Sequence, residues 1–455
     1  MRQSVCVQFA LTFASILGLA GTSVRAADEW PQFRGPDGQG HAPAGHIPVR
    51  FGENENVEWK APIPGRGWAS PVMSNGVCWL ATAVTQELTP AEREQIAKEK
   101  LQGNPLAKEM ELIGRLILRA VAVDLESGKI LHDVELFQHV NPEPIHSLNS
   151  YASPTPVLRD GRLYCHFGNL GTACVDTESG KVLWKTRLPV EHSVGPGSSP
   201  VIFENLLIFP CDGTTAQYVV ALNLDDGEPV WKVNRPPMTG DNGDFHKAFS
   251  SPLLFNDGKR DQLVITGAQW VVSYNPRNGD TLWQVRHGEG FSNAPAPVYA
   301  HGMAFICTGY MTPELVAIKV DGTGDVTNSH VAWRIKKQVP AMPSPILVGK
   351  ALYMVSDQGV VTCADAVTGD VKFQKRIPGS YSASPMVADG KLMFLSREGD
   401  VTVVAASADW KELSKNHLDG KLMASPAVWK NSLILRTDSH LYRITNRAVA
   451  RADGD

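Results

Sequence analysis

Eight short motifs, each built around a proline that opens a predicted strand, recur along this 455-residue chain. From Pro156 onward they recur about every 45 residues, which is the period of four-stranded propeller blades. The runs between them are short, β-branched and bounded by turns, unlike those of helical repeats. The pattern predicts an all-β chain, an eight-bladed β-propeller of four-stranded antiparallel blades. The opening prolines are Pro71, Pro156, Pro200, Pro252, Pro297, Pro345, Pro385 and Pro426.

A second recurring unit reads strand, glycine turn, strand, as in "CVDTESGKVLWKT" and "ALNLDDGEPVWKV". The glycine supplies the positive φ angle of a tight hairpin turn. The aromatic residue that follows falls at one position of the outermost strand, where a large flat side chain can pack one blade against the next. The residues predicted to have this structural role are Trp59, Trp184, Trp231, Trp283, Trp333 and Phe373.

The last repeat, residues 423–446, contains only three strand-like runs. Its missing outer strand is predicted at the other end of the chain, because "VEWKAPIP" (residues 57–64) matches the outer strands "VLWKTRLP" and "PVWKVNRP" before any blade has begun. Pairing these two ends would close the ring and leave no open sheet edge between the first and last blades. One propeller domain over residues 27–446 follows.

The interval from Pro71 to Pro156 is roughly twice the repeat period. The excess, about residues 85–118, is polar and helical in character. Thr89, Pro90 and Glu92 provide an N-cap, a first-turn proline and a capping-box acid, so a helix should begin at Pro90. We expect this insertion to interrupt the B–C hairpin of the first blade and to project from the ring. It is either decorative or a partner-binding or gating lid.

The N-terminal segment indicates export. Residues 1–26 contain Arg2, an apolar stretch, and Val24 and Ala26 at signal-peptidase positions, which predicts a cleaved signal peptide; the alternative is a retained N-terminal anchor. No later stretch is apolar enough to span a bilayer. We expect a periplasmic or secreted monomer with a polar tail over residues 447–455. The net charge of −4 and the absence of Lys/Arg runs argue against nucleic-acid binding.

The unit "A-x-D-x-x-[ST]-G-x-x-x-W" resembles the repeat of PQQ-like (quinoprotein-like) propellers, and is most similar to the secreted, single-domain planctomycete type. Two relatives are better understood. Quinoprotein alcohol dehydrogenases hold pyrroloquinoline quinone (PQQ) over the ring axis on a bound calcium, whereas the propeller lipoprotein of the outer-membrane β-barrel assembly machinery binds protein without chemistry. This chain lacks the adjacent cysteine pair of many such dehydrogenases, an evident calcium-ligand set, and a lipid-anchor cysteine.

The predicted function is therefore an exported, non-catalytic binding or scaffold propeller that recognises a protein or a small ligand at the axial mouth. No catalytic residue, metal or cofactor is predicted. The alternative is a PQQ-dependent alcohol or sugar dehydrogenase with calcium and a divergent cofactor site. Other chemistries find no support, because the chain has no G-x-S-x-G motif and its histidines share no metal-ligand spacing.

The loops from one blade's outer strand to the next blade's inner strand should gather at one mouth of the axial channel. Their aromatic, cationic and amide side chains could bind a flat anionic ligand or an extended peptide, or could only pack the inner ends of the blades. The candidate ligand-binding residues are Arg66, Trp68, Asn149, Tyr151, His246, Lys247, Phe249, Asn293, Tyr381 and Met423.

Six cysteines remain once the signal peptide is removed. Cys165 and Cys174 flank "HFGNLGTA", and a hairpin centred on Asn169-Leu170 would place them directly opposite each other. Such a pair can form a strained disulfide in an oxidising compartment. The alternative is that both are buried thiols.

Overall fold

The computed structural model describes residues 29–42 and 46–446; the predicted signal peptide and polar tail lie outside the described residues. The predicted eight-bladed propeller is confirmed, with four antiparallel strands (A to D, from the axis outward) in every blade. The strands are Val72–Ser74, Val77–Gln86, Arg115–Asp124 and Ile130–Val140 in blade 1; Val157–Arg159, Arg162–His166, Thr172–Asp176 and Val182–Thr186 in blade 2; Val201–Phe203, Leu206–Asp212, Gln217–Asn223 and Pro229–Asn234 in blade 3; Leu253–Asn256, Asp261–Thr266, Trp270–Tyr274 and Thr281–Arg286 in blade 4; Val298–Ala300, Met303–Cys307, Leu315–Lys319 and Val331–Ile335 in blade 5; Ile346–Val348, Ala351–Val355, Val360–Asp365 and Val371–Arg376 in blade 6; Met386–Ala388, Lys391–Leu395, Asp400–Ala405 and Glu412–His417 in blade 7; and Ala427–Trp429, Ser432–Arg436, His440–Thr445 and Val57–Pro62 in blade 8.

The ring closes as predicted. Val57–Pro62 forms strand D of blade 8 and pairs antiparallel with His440–Thr445, with Ala61 opposite Leu441. A propeller without this strand would leave blade 8 with an unpaired edge, which is a template for aggregation. The closure therefore joins the two ends of the chain within one sheet.

Neighbouring blades are fastened by tryptophans that lie on the glycine turn of the next blade. Trp184 of blade 2 donates its Nε1 hydrogen to Leu224 O of blade 3 at 2.9 Å, and a Cβ at Gly227 would lie 2.5 Å from its ring. Trp59 makes the same contact across the closing seam, with its Nε1 3.0 Å from Leu125 O and its ring against Gly128. Glycine is needed at these turns because φ is positive and the ring fills the space of a side chain. Trp231 and Trp333 dock in the same way, on Gly279 and Gly369.

Blades 1, 4, 6 and 7 depart from this pattern. In blade 6 the position holds Phe373, which packs against Trp410 at a centroid distance of 6.0 Å, and in blade 7 it holds Ser414. Trp283 in blade 4 is fully buried, and its Nε1 donates to Gln262 Oε1 of its own blade at 2.7 Å. A fifth strand, Gly324–Asp325, pairs parallel to strand D of blade 4 beside it. In blade 1 the aromatic position is taken by His132, whose ring lies against Gly180 of blade 2. The tryptophan–glycine contact therefore fastens some junctions of the ring and not others.

The insertion in blade 1 contains the helix Pro90–Lys100, which begins with the complete Thr89–Glu92 capping box. Strands B and C remain paired as far as Gln86 and Arg115, so the insertion is shorter than expected. It also does not project freely: Met110–Glu111 pairs with Ile145–His146 in the loop that leads to blade 2. The described residues also contain three 3₁₀ turns, Ala107–Glu109, Gly168–Leu170 and Gly243–Phe245. Within the described ranges no helix is long and apolar enough to cross a membrane.

Residues 30–42, which we name the axial segment, run across the ring axis before the closing strand. Trp30 is fully buried, and Arg34 is 2% exposed. The Arg34 guanidinium donates to Gln39 O at 2.8 Å and to Pro345 O of blade 6 at 2.7 Å, while burial lowers its pKa to about 10. The side chain therefore stays charged at neutral pH inside the channel. No repeat or motif in the sequence predicts a role for this segment.

The disulfide considered between Cys165 and Cys174 does not form, because the two residues are not paired across the hairpin. The hairpin of blade 2 pairs Cys165 with Ala173 and Cys174 with Tyr164, so the expected register is displaced by one residue. Because side chains alternate across a strand, the two sulfurs lie on opposite faces of the sheet, in different core clusters. Both are free and buried, and burial raises the pKa of the Cys174 thiol to about 11.

Candidate functional site: the axial mouth

A ring of hydroxyl groups forms the floor of the mouth on the side of the B–C and D–A loops. In seven of the eight blades the residue before the opening proline is Ser or Thr, and its Oγ accepts the backbone N–H of the equivalent residue in the preceding blade. Only Ala296, in blade 5, has no hydroxyl to accept this bond. The bonds, from N to O, are Ser70 to Thr155 (2.9 Å), Thr155 to Ser199 (2.9 Å), Ser199 to Ser251 (2.9 Å), Ala296 to Ser344 (2.9 Å), Ser344 to Ser384 (3.0 Å), Ser384 to Ser425 (2.9 Å) and Ser425 to Ser70 (3.1 Å).

Above this floor lies an open cavity of about 610 Å³, within the size range of ligand pockets. Its walls are the D–A loops, the B–C turns of several blades, and Leu106 and Glu109 of the insertion. Phe33 of the axial segment lies at the bottom, where it separates this cavity from a second one on the other side of the ring. The channel is thus divided rather than continuous.

Half of the ten candidate residues line this cavity. They are Trp68, Asn149, Lys247, Phe249 and Met423.

The polar groups of Asn149 and Lys247 already have structural partners. The Asn149 amide donates to Val194 O at 2.8 Å, and Lys247 Nζ lies 2.7 Å from Asp244 Oδ1 and 2.6 Å from Ser193 Oγ. Lys247 is 5% exposed. It therefore adds positive charge to the cavity wall but offers little free hydrogen-bonding capacity to a ligand. Trp68 and Phe249, which are half-buried, are the lining candidates that present ring surface.

Arg66 lies behind Trp68 rather than in the cavity. Its guanidinium is 5.6 Å from the Trp68 ring and forms a two-pronged ion pair with Glu111 of the insertion, one contact being 3.0 Å. Trp68 Nε1 donates to Leu148 O at 3.1 Å. The insertion therefore fixes the orientation of the tryptophan through the arginine.

Four other candidates do not line the mouth cavity. Tyr151 and Tyr381 are almost fully buried, and their hydroxyls donate to Glu143 O and Pro378 O. Asn293 is fully buried and donates to Gly267 O at 2.6 Å. His246 lies in the loop before blade 4, with its Nε2 3.2 Å from Thr239 O. These four residues pack within the loops. They therefore fit the alternative that the candidate side chains only pack the inner ends of the blades.

Charged lining residues that the sequence analysis missed lie on B–C turns. Asp357 accepts the backbone N–H groups of Ala341 and Met342, each at 3.1 Å, and burial raises the pKa of its carboxyl group. Arg397 donates through Nε to Ser382 Oγ at 2.8 Å, and burial lowers its pKa. The turns "SDQG" and "SREG" that carry them were a usable signal, because B–C turns lie at the same face as D–A loops.

An apolar patch borders the cavity beside blades 4 and 5, and we name it the rim patch: Phe245, Phe291, Tyr310 and Met311. Phe291 packs against Phe245 and Tyr310, with ring centroids 4.8 and 6.0 Å apart. Phe245, Tyr310 and Met311 are 46%, 59% and 73% exposed. Large apolar side chains clustered at this exposure mark an interaction surface more often than a solvent-facing loop.

The mouth does not fit a calcium-bound quinone. Calcium needs six to eight oxygen ligands, and the lining residues include only two acids, Glu109 and Asp357. Glu109 is 2.9 Å from His146 Nε2, and Asp357 is held by backbone N–H groups. In the part of the chain that the structure describes, no three His, Cys, Asp or Glu side chains form a group that could hold a metal ion.

Comparison with known proteins identifies the family. The sequence profile described as "Outer membrane protein assembly factor BamB" matches residues 118–323 and 267–440, which overlap and together cover more than half of the chain. The chain belongs to this family. The matched region runs from strand C of blade 1 to the start of strand C of blade 8, and the resemblance to PQQ-like propellers is confirmed.

Individual relatives include both assembly factors and a quinoprotein alcohol dehydrogenase. BamB of Burkholderia pseudomallei is 24% identical over 306 residues, which is 66% of this chain and 70% of the relative. The quinoprotein alcohol dehydrogenase PedH of Pseudomonas putida is 29% identical over 144 residues, 30% of this chain. That match spans only 23% of the dehydrogenase.

Solved structures show the same two likenesses. BamB from Moraxella catarrhalis superposes with a TM-score of 0.52 at 13% identity, over 74% of this chain and 100% of that one. The quinohemoprotein alcohol dehydrogenase of Comamonas testosteroni gives a TM-score of 0.63 at 10% identity, over 91% and 80%. At these identities the likeness shows the fold alone.

Proposed function

We propose that this chain is a non-catalytic protein-binding propeller that acts outside the cytoplasmic membrane and holds an apolar segment of a partner protein at the axial mouth. The observation that carries the proposal is the rim patch beside the cavity. Its aromatic side chains have large contact areas and few rotatable bonds, which are the properties of interface anchors. Membership of the BamB family, which is named for an outer membrane protein assembly factor, supports the protein-binding class.

The polar part of the mouth complements this patch. Lys247, Asp357 and Arg397 lie in the cavity wall, and the Ser/Thr ring lies below them. The Arg397 guanidinium and the hydroxyl hydrogens of the Ser/Thr ring can bond carbonyl groups of an extended segment, while the rim patch takes its apolar side chains. The proposal assigns no cofactor to this mouth.

Site-specific photo-crosslinking in the native host tests the proposal. A photoreactive amino acid at Tyr310 should give a discrete adduct with a partner protein. The matched control is Val230, which is 53% exposed on the outer strand of blade 3 and far from the mouth in the fold. The variant Phe291→Ser should remove the Tyr310 adduct without changing the amount of folded protein. Equal adducts from Tyr310 and Val230, or an adduct that persists in Phe291→Ser, would contradict the proposal.

The dehydrogenase alternative has its own test. The protein mixed with PQQ and calcium and then desalted should retain no quinone absorbance, and it should reduce no artificial electron acceptor with alcohols or sugars. Retained quinone that is released by a chelator would reverse the proposal.

A further inference from the structure

The axial segment contacts the inner wall of the ring at one repeated position, the second residue after the opening proline. In five blades a main-chain group of this residue bonds the segment. The bonds are Met73 N to Trp30 O (2.8 Å), Leu158 N to Pro31 O (2.8 Å), Tyr299 N to Gln39 Oε1 (2.7 Å), Val387 N to Gly40 O (2.9 Å) and His41 Nε2 to Leu347 O (2.6 Å). The inner wall is thus a docking surface for polypeptide, and the chain itself occupies most of it.

Blades 3 and 4 form the uncovered part of this wall. The equivalent residues are Ile202 and Leu254, which are half-buried, and among the described residues neither is bonded by the axial segment. Their register within the A–B hairpins matches that of Met73, so their N–H and C=O groups also face the channel. In blade 8 the equivalent Val428 is 2% exposed. Two adjacent inner strands therefore keep free main-chain groups.

These two strands border a cavity of about 840 Å³ that opens on the face opposite the mouth. Its apolar wall comes from the inner strands of blades 2 to 4, and Phe33 of the axial segment separates it from the mouth. Its charged lining residues are four acids and one arginine: Glu29, Asp37, Asp160, Glu178 and Arg159. Arg159 lies 3.2 Å from Asp160, and His41 lies 2.5 Å from Asp37, so the excess negative charge belongs to Glu29 and Glu178.

We infer that this cavity is a second binding site, for an extended peptide segment that carries a lysine or arginine side chain. The free N–H and C=O groups of Ile202 and Leu254 bond its main chain, as the equivalent groups of Met73 bond the axial segment. The apolar wall receives its aliphatic side chains, and the acids at the opening pair with its cation. The site is separate from the mouth and does not depend on the function proposed for it.

Two capped peptides provide the probes: acetyl-Val-Lys-Val-Lys-Val-amide and the same peptide with glutamate in place of lysine. The lysine peptide should bind the full-length protein at least about tenfold more tightly, with a preference that weakens as salt is added. Amide exchange, followed residue by residue, should slow at Ile202 and Leu254 on binding and stay unchanged at Met73. Tighter binding of the glutamate peptide, or protection elsewhere only, would overturn the inference.

Variants separate charge from main-chain recognition. Glu29→Gln with Glu178→Gln should weaken the lysine peptide about tenfold, whereas Asp226→Asn with Glu228→Gln, on a neighbouring turn of the same face but outside the cavity lining, should not. Ile202→Pro removes one channel-facing N–H at a place where an edge strand tolerates proline, and it should weaken both peptides. Equal effects of the two charge pairs, or n-butylamine binding as tightly as the lysine peptide, would refute a peptide site.

Discussion

The hydroxyl of Ser70 accepts a hydrogen bond from the backbone N–H of Ser425, with 3.1 Å between nitrogen and oxygen, although 355 positions separate the two residues. This contact closes the hydroxyl ring at the junction of blades 8 and 1. The pairing of Val57–Pro62 with His440–Thr445 closes the same junction in the outer part of blade 8. The propeller is therefore fastened at both its inner and its outer circumference.

The gap in the hydroxyl ring at blade 5 can be filled. Ala296→Ser should give the Ser251 N–H the acceptor that every other blade provides, and should raise the free energy of unfolding by about 0.5–1.5 kcal/mol. Ser384→Ala is the reverse control: it removes the acceptor for Ser344 N–H and should cost about 1–3 kcal/mol because a buried donor is left unpaired. Urea unfolding measures both. A loss of stability in Ala296→Ser would mean that the ring tolerates no hydroxyl at this position.

The tryptophan–glycine contact between blades predicts a graded series at the junction of blades 2 and 3. Trp184→Phe keeps an aromatic ring but loses the bond to Leu224 O, so it should cost about 1 kcal/mol, whereas Trp184→Ala should cost about 3–5 kcal/mol. Gly227→Ala should destabilise as well, since φ is +76° and the new Cβ would meet the indole ring. Thermal unfolding gives the order. If Gly227→Ala leaves the melting temperature unchanged, the Trp184 ring does not require a glycine in this turn.

The repeats were predictable because each obeys a local rule. The opening proline, the glycine turn and the outer aromatic recur at fixed spacing, and "VEWKAPIP" could be matched to its equivalents before any blade began. The axial segment follows no repeat, and its partners lie in five blades, so no local pattern indicates its position. The disulfide between Cys165 and Cys174 was wrongly predicted because of the loop between their strands. The 3₁₀ turn Gly168–Leu170 gives this loop an odd number of residues, which places the two sulfurs on opposite faces of the sheet.

The mouth was only half predictable. Its D–A loops were located correctly, but exposure within a loop depends on the neighbouring loops. Tyr151 and Asn293 are buried, while Tyr310 and Arg397 reach the same mouth from B–C turns, which were not among the predicted mouth loops. Loop position follows from topology, whereas side-chain access depends on packing between blades.

Buried histidines should make the fold sensitive to acid. Burial lowers the pKa of His166 to about 3 and those of His192 and His287 to about 4, so they stay neutral in the folded state while the unfolded chain takes up protons below about pH 6.5. Stability must then fall as pH drops from 6.5 towards 4. Asp212 acts in the opposite sense: burial raises the pKa of its carboxyl group although Arg235 lies 3.2 Å away, so its protonation on acidification offsets part of the histidine effect.

Between pH 6 and 4 the unfolded state therefore binds about two more protons than the folded state. The free energy of unfolding should fall by on the order of 1–3 kcal/mol for each pH unit of acidification. His287→Gln should flatten the dependence by about one proton. Unfolding free energies at four pH values would suffice, and a stability that stays level from pH 6.5 to 4 would contradict the argument.

The insertion of blade 1 can be removed to decide whether it serves the mouth. Strands B and C pair as far as Gln86 and Arg115, so an Asn-Gly turn between these residues should replace 87–114 and leave the blade hairpin intact. We expect the melting temperature to fall by only a few degrees, because the insertion's apolar cluster is largely its own (Ile96, Leu101, Met110 and Leu112).

Binding should suffer more than stability. Excision removes Leu106 and Glu109 from the cavity wall and takes Glu111 from Arg66, which frees the Trp68 ring. The Tyr310 photo-adduct should therefore drop severalfold in yield, and a photoreactive residue at Leu106 in the intact protein should capture the same partner. Glu111→Gln provides an intermediate: it keeps the wall but weakens the hold on Arg66, and should give an intermediate yield. An excised protein that captures its partner at full yield would show that the insertion is decoration.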